Sequence, residues 1–177
     1  MLIYRICRSE FAADLKASGY AGRWNRDGQR VLYASATRSL AALEQLANRS
    51  GLVLSGYYCI MVIGVPDIET SDIEVPDVVG TLRSLFPEML PPDWRQLSGY
   101  GRLQELGADW YRRSESLLLR VPSVLVPQEY NYLINTQHPD FSTQVRLVGT
   151  EKDQHLATVF GKWVFEWALQ MPFLNLS

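Results

Sequence analysis

An α+β fold is what the sequence predicts, and three observations predict it. The chain has 177 residues, the length of one domain. Apolar residues make up 47% and charged residues 20%, the balance of a folded soluble chain. Strand-like runs and helical stretches follow one another without the regular strand–helix alternation of a doubly wound sheet. The same composition excludes a mainly disordered chain. No run approaches the roughly 18 apolar residues of a membrane span.

The elements read in order as follows. Residues 2–7 form a short apolar strand. Residues 11–18 suggest a brief helix ending at Gly19. Residues 21–30 are polar and turn-rich, with Asp27-Gly28 as a turn signal. A second strand occupies 31–34, after which Ser35 or Thr37 can cap a helix that runs to about Asn48, closed by Ser50-Gly51. Residues 56–65 are β-branched and aromatic and stop at Pro66, which reads as a buried strand. The stretch 66–96 holds five of the nine prolines and is a connecting region with room for one short helix. Residues 102–113 carry Leu103, Leu106 and Trp110 at helical spacing. Residues 117–126 are strand-like with a break at Pro122, 130–141 mix aromatic and polar side chains, and 143–148 suit another strand. Leu156, Phe160, Trp163 and Trp167 again fall at helical spacing.

Charge and cysteine usage narrow the function classes. The net charge of −2 does not suit non-specific binding to nucleic acid or an anionic membrane. Fourteen of the 17 basic residues are Arg, which suits anionic ligands and equally suits a GC-rich genome. Cys7 and Cys59 lie in apolar stretches without CxxC spacing and read as buried thiols of a reducing compartment. The N-terminal residues lack the pattern of a signal peptide, so a cytoplasmic location is expected. His138 and His155 sit at no ligand spacing, and no metal site is expected.

Three places look out of keeping with a plain core. Leu40, Glu44 and Ala47 stack in one row of a helix beside Leu43, which puts a carboxylate on or beside the apolar stripe. Burying a carboxylate costs several kcal/mol unless it is paired, so Glu44 either edges to solvent, pairs with an Arg, or does chemistry. Gly22-Arg23-Trp24-Asn25 offers a guanidinium fork for phosphate and an aromatic face, although a Trp packed in a hairpin beside a surface Arg reads the same. Ser123 follows Val121-Pro122 near the end of a buried strand; a local backbone bond is the plain explanation, and no GxSxG elbow supports a serine hydrolase. The glycines form neither a P-loop nor a dinucleotide fingerprint.

Taken in order, these segments resemble the RES domain, the toxin half of bacterial RES–Xre toxin–antitoxin pairs. The residues that carry the resemblance are Tyr4-Arg5-Ile6, Gly22-Arg23-Trp24-Asn25 with Gly28, Val31-Leu32-Tyr33-Ala34-Ser35, Ser39-Leu40-Ala41 and Leu43-Glu44. They continue with Leu106-Gly107, Trp110, Val121-Pro122-Ser123, Pro127, Glu129, Asn131-Tyr132-Leu133-Ile134-Asn135 and His138-Pro139-Asp140-Phe141. The similarity spans roughly residues 2–148. Two departures stand out: residues 150–177 are rich in Trp and Phe where the family closes on Asp-x-Arg-Leu, and Thr136 stands where Pro is usual.

The resemblance implies an ADP-ribosyltransferase-like mixed sheet flanked by helices, with a catalytic domain over residues 1–149 and an atypical C-terminal segment, 150–177, packed on it. It implies NAD+ as substrate, without a prosthetic group. Glu44, Arg23 and Ser123 would be catalytic, and Arg5, Arg23, Tyr33, Ser123, Asn131 and Asn135 would bind the dinucleotide. It further implies an Xre-type antitoxin that touches DNA in the toxin's place, and allows a homodimer within that complex. Hydrolysis or phosphorolysis of NAD+, transfer of ADP-ribose to a protein, and a non-catalytic antitoxin-binding module are the activities it leaves open.

Overall fold

Seven strands and three helices make up residues 1–48, 58–67 and 80–151, the part that the computed structural model describes. The strands are β1 (Leu2–Arg8), β2 (Val31–Ser35), β3 (Tyr58–Gly64), β4 (Leu82–Ser84), β5 (Leu118–Pro122), β6 (Tyr130–Asn135) and β7 (Arg146–Glu151). The helices are α1 (Arg38–Asn48), α2 (Tyr100–Arg113) and α3 (Phe141–Gln144). One mixed sheet runs in the order β4-β5-β6-β2-β1-β3-β7. Only the β4–β5 pair is parallel. This is the α+β arrangement that the sequence predicts.

Strand alternation sorts the side chains to two faces. Ile3, Cys7, Leu32, Ala34, Met61, Ile63, Leu118 and Ile134 build one core, against which Leu15, Ala17, Phe141 and Val145 pack. Val31, Leu119, Val121 and Leu133 point the other way and meet Leu103 and Trp110 of α2, together with Trp24, Leu85, Leu90 and Trp94. The Trp110 indole N–H donates to Ser116 Oγ at 2.9 Å, so the fully buried ring leaves no polar atom unpaired.

Of the two candidate caps, Thr37 is the one used: its Oγ accepts the Leu40 N–H at 3.1 Å. From there α1 crosses β1 and β2. Arg38 stacks over the Tyr4 ring at 4.2 Å and forks onto Glu151, which ties the start of α1 to β1 and β7. At the far end of α2, Ser114 takes the left-handed conformation and donates its N–H to Trp110 O.

The structure corrects three readings of local sequence. Residues 11–18 form no helix; a single 3-10 turn, Ser9–Phe11, is followed by irregular chain whose Ala12, Leu15 and Ala17 pack on the sheet. A short apolar run ending at a glycine reads as helix, but the sheet claims its apolar side chains. The proline-rich connection contains a strand, β4, too short to show a period of its own. The strand expected at 143–148 begins only at Arg146, because the first part is the short helix α3. The expected change of character after residue 149 falls within β7, and the helix expected over 156–167 lies outside the described residues.

Candidate active site

The elements bring Glu44, Ser123 and Asn131 together. Ser123 Oγ donates to Glu44 Oε1 at 2.8 Å, and Asn131 Nδ2 donates to the same oxygen at 2.6 Å. Oε2 accepts no hydrogen bond among the described residues. Among those residues Glu44 also has no ion-pair partner, which removes the pairing with Arg considered for it above. Its charge is held by two neutral donors.

Each donor is itself fixed. Ser123 is fully buried just past the proline that ends β5, and its Oγ accepts the N–H groups of Leu125 and Val126, both at 3.1 Å. With its lone pairs taken and its proton on a carboxylate, the hydroxyl is a positioned donor and no nucleophile. Asn131 sits opposite Ser35 in the β2–β6 register, and Ser35 Oγ donates to Asn131 Oδ1 at 2.7 Å. That bond turns the amide so that its NH2 faces Glu44. Ser35, buried at 4% exposure, is the residue that the sequence reading missed; its shared parity with Tyr33 on β2 was the available signal.

Tyr33 lies on the same face of β2, two residues and so roughly 7 Å along the strand from Ser35. Its hydroxyl donates to Asn25 Oδ1 at 2.7 Å and accepts the Trp24 N–H at 3.1 Å. Burial pushes the phenol well above its ordinary range, so it stays protonated. Asn25, 1% exposed, also donates to Tyr20 O and Arg26 O, both at 2.9 Å, which holds the 20–29 turn in place. Trp24 is a core residue, as the hairpin-packing alternative has it, and Asn25 is spent on the Tyr33 hydroxyl. Arg23 Nη1 donates to Trp94 O at 3.1 Å and its guanidinium lies 5.1 Å from the Tyr100 ring centroid.

Helix α2 seats this turn by close approach. Gln104 Nε2 donates to Gly22 O at 2.9 Å. At Gly107 an added Cβ would fall 1.8 Å from Trp24 O, so only glycine lets the backbones meet.

Arg5 has a different setting. The β1–β2 ladder holds a single registered pair, Tyr4 with Ser35, beyond which the strands part. Arg5 Nη1 reaches across the opening to Tyr33 O at 2.9 Å. Burial lowers the pKa of this guanidinium from its ordinary value, an effect that the nearby Cys7 thiol partly opposes. Asn135 is not brought to the site. It lies at the other end of β6, about 13 Å from Asn131, and its amide donates to Tyr111 O at 3.2 Å while its Oδ1 accepts the Gln137 N–H. No three His, Cys, Asp or Glu side chains converge as metal ligands among the described residues.

Known proteins share this chain's pattern. The family model described as RES domain matches residues 2–158. A protein of Sphingobium sp. (strain YBL2) described as "Prs ADP-ribosylating toxin" is 37% identical over 140 residues, covering 75% of this chain and 79% of that one. A "Toxin Res" of Yersinia enterocolitica is 32% identical over 148 residues, covering 81% and 89%. The toxin–antitoxin complex MbcT–MbcA of M. tuberculosis contains a chain that superposes with a TM-score of 0.65 over 91% of this chain and 88% of its own. At 16% identity that likeness concerns the fold.

Proposed function

The chain belongs to the RES domain family, and from that membership and the setting of Glu44 we propose that it is a toxin that breaks the nicotinamide–ribose bond of NAD+. The observation that carries the reading is a carboxylate held on one oxygen by Ser123 and Asn131 and, among the described residues, without an ion-pair partner or a bond to its other oxygen.

The bond in question joins a sugar to a cationic pyridinium. Nicotinamide therefore leaves neutral and needs no proton, so the acid of a glycosidase carboxylate pair can be dispensed with. Positive charge grows on the ribose as the bond lengthens. A carboxylate prealigned in a partly dry site stabilises that charge without reorganising. In this reading Glu44 supplies the charge and Ser123 and Asn131 orient it. Arg23 and Arg5, each with N–H groups beyond the one bonded to a backbone carbonyl, hold the pyrophosphate. Tyr33 packs on the nicotinamide end. Asn135 braces β6 against the end of α2 and takes no part.

Ser35 enters as a positioning residue. Without its hydroxyl, nothing directs the Asn131 amide, and the carbonyl end can turn toward Glu44. Ser35→Ala is expected to lower kcat about tenfold, one misplaced hydrogen bond, with KM little changed and Ser35→Thr partly restoring kcat. A fall in KM-dependent terms alone would contradict the positioning role.

The acceptor of the ADP-ribosyl group is water or inorganic phosphate in the first reading. The name of the Sphingobium relative favours a second, in which a protein side chain accepts it. Incubating the purified chain with NAD+, with and without phosphate, separates these. Free nicotinamide with ADP-ribose or its 1-phosphate supports the first. Nicotinamide release only when a protein acceptor is added, with label on that protein, supports the second. No release under any condition overturns both and leaves a binding module. A cytoplasmic NAD+ consumer must be restrained, so a co-expressed antitoxin, of Xre type by the resemblance, completes the reading.

A further inference from the structure

The two cysteines, 52 positions apart in sequence, stand directly opposite one another across the β1–β3 ladder. Both are free and buried, on the face they share with Ile3, Met61 and Ile63. Met1 and Val65 exchange both of their backbone hydrogen bonds, at 2.9 and 3.0 Å. The register continues unbroken from there, so every second pair, Ile3 with Ile63, Arg5 with Met61 and Cys7 with Cys59, falls at a hydrogen-bonded position. Such a position sets the Cα atoms about 5.5 Å apart, inside the span a disulfide tolerates. The Cβ atoms at such a position stand about 5.5 Å apart, beyond the roughly 3.5–4.5 Å of a relaxed disulfide, so the strands must shift for the bridge to close. A bridge here forms only with some strain and is correspondingly easy to reduce. The pair also sits near the outer end of the ladder, one residue from the end of β1 and one from the start of β3.

From this juxtaposition we propose that Cys7 and Cys59 are a reversible modification site, oxidised by peroxide to a cross-strand disulfide and returned to thiols by a dithiol or glutathione. The step balances. One thiolate attacks a peroxide oxygen, giving a sulfenic acid and hydroxide; the second thiolate displaces hydroxide from the sulfenic sulfur as the S–S bond forms. The two thiol protons and the two hydroxides become two molecules of water, and peroxide is the species reduced. Burial and the neighbouring Cys59 push the Cys7 thiol up to about 11, while Arg5 on the same face opposes that shift. Little thiolate is present at neutral pH, so the oxidation is slow and accelerates as pH rises. The segment enclosed by the bridge carries Arg23, Tyr33 and Glu44, so oxidation tethers that part of the chain at its two ends. This inference is independent of the reaction proposed for the chain.

The test uses the full chain, pure and reduced, exposed to hydrogen peroxide and then denatured under non-reducing conditions. Expected are the loss of both titratable thiols, one linked peptide joining the segment of Cys7 to that of Cys59, no covalent dimer, and full recovery of the thiols in dithiothreitol. The oxidised chain should also unfold at higher denaturant concentration than the reduced chain. In Cys7→Ala and Cys59→Ala no intramolecular link forms; should either fail to fold, peptide mapping of the wild-type chain decides alone. Two thiols still titratable after exposure, separate sulfinic acids at the two positions, or links found only between molecules would each overturn the proposal.

Discussion

Glu44→Gln is expected to stop nicotinamide release while leaving the fold intact. Glutamine keeps an oxygen to accept the Ser123 and Asn131 donors, so the local geometry survives and only the charge is lost. Removing one preorganised group that meets developing charge costs on the order of 10²–10³ in kcat. The fall should appear in kcat with substrate affinity little affected, because the carboxylate matters most once the ribose has become cationic. Product release by chromatography and an unfolding curve read the two halves of the expectation. Wild-type turnover in the Gln variant would remove Glu44 from the mechanism, and unfolding would make it a structural residue.

Gly107→Ala is expected to destabilise the chain and to spoil the site at once. Helix propensity alone favours alanine here by about 1 kcal/mol. Against it stands the carbonyl of Trp24, 1.8 Å from where the methyl would lie, with the carbonyl carbon at 2.7 Å. These are backbone atoms, so no side-chain rotation relieves the overlap. The 22–25 turn must lift off α2, and overpacking of this kind costs about 1–3 kcal/mol or more. A 1.8 Å approach to backbone belongs at the upper end of that range, so sterics win, and the net change is expected to be a loss of about 2 kcal/mol in urea unfolding. Because Trp24 and Asn25 hold the Tyr33 hydroxyl and Arg23 neighbours them, KM for NAD+ should rise as well. A more stable variant with unchanged KM would show that the turn does not depend on this contact.

Much of the frame was legible in the sequence because each element carries its own period. Leu103, Leu106 and Trp110 announce α2, and the apolar run through Ile60 and Ile63 announces β3. The failures have a common cause. Ala12, Leu15 and Ala17 fall in a run that reads as a brief helix ending at Gly19, yet they are apolar because the sheet needs covering. β4 has three residues, fewer than any periodic signal requires. The site was partly legible for a different reason: its residues came from likeness to a family, and local geometry then separated them. Glu44, Ser123 and Asn131 meet, whereas Asn135, drawn from the same six-residue strand, faces the end of α2.

By itself the sequence determined an α+β domain, its principal strands and helices, and the family to which the chain belongs, since periodicity, punctuation and motif order are properties of neighbours along the chain. Tertiary structure decided which polar groups share a bond. Ser35 and Asn131 are 96 positions apart and Glu44 and Ser123 are 79 apart, and strand register together with the docking of α1 on the sheet makes them one network. The same register sets Cys7 against Cys59 and leaves Asn135 out. A side chain's chemistry is written in its own codon, but its partner is chosen by how the sheet is paired.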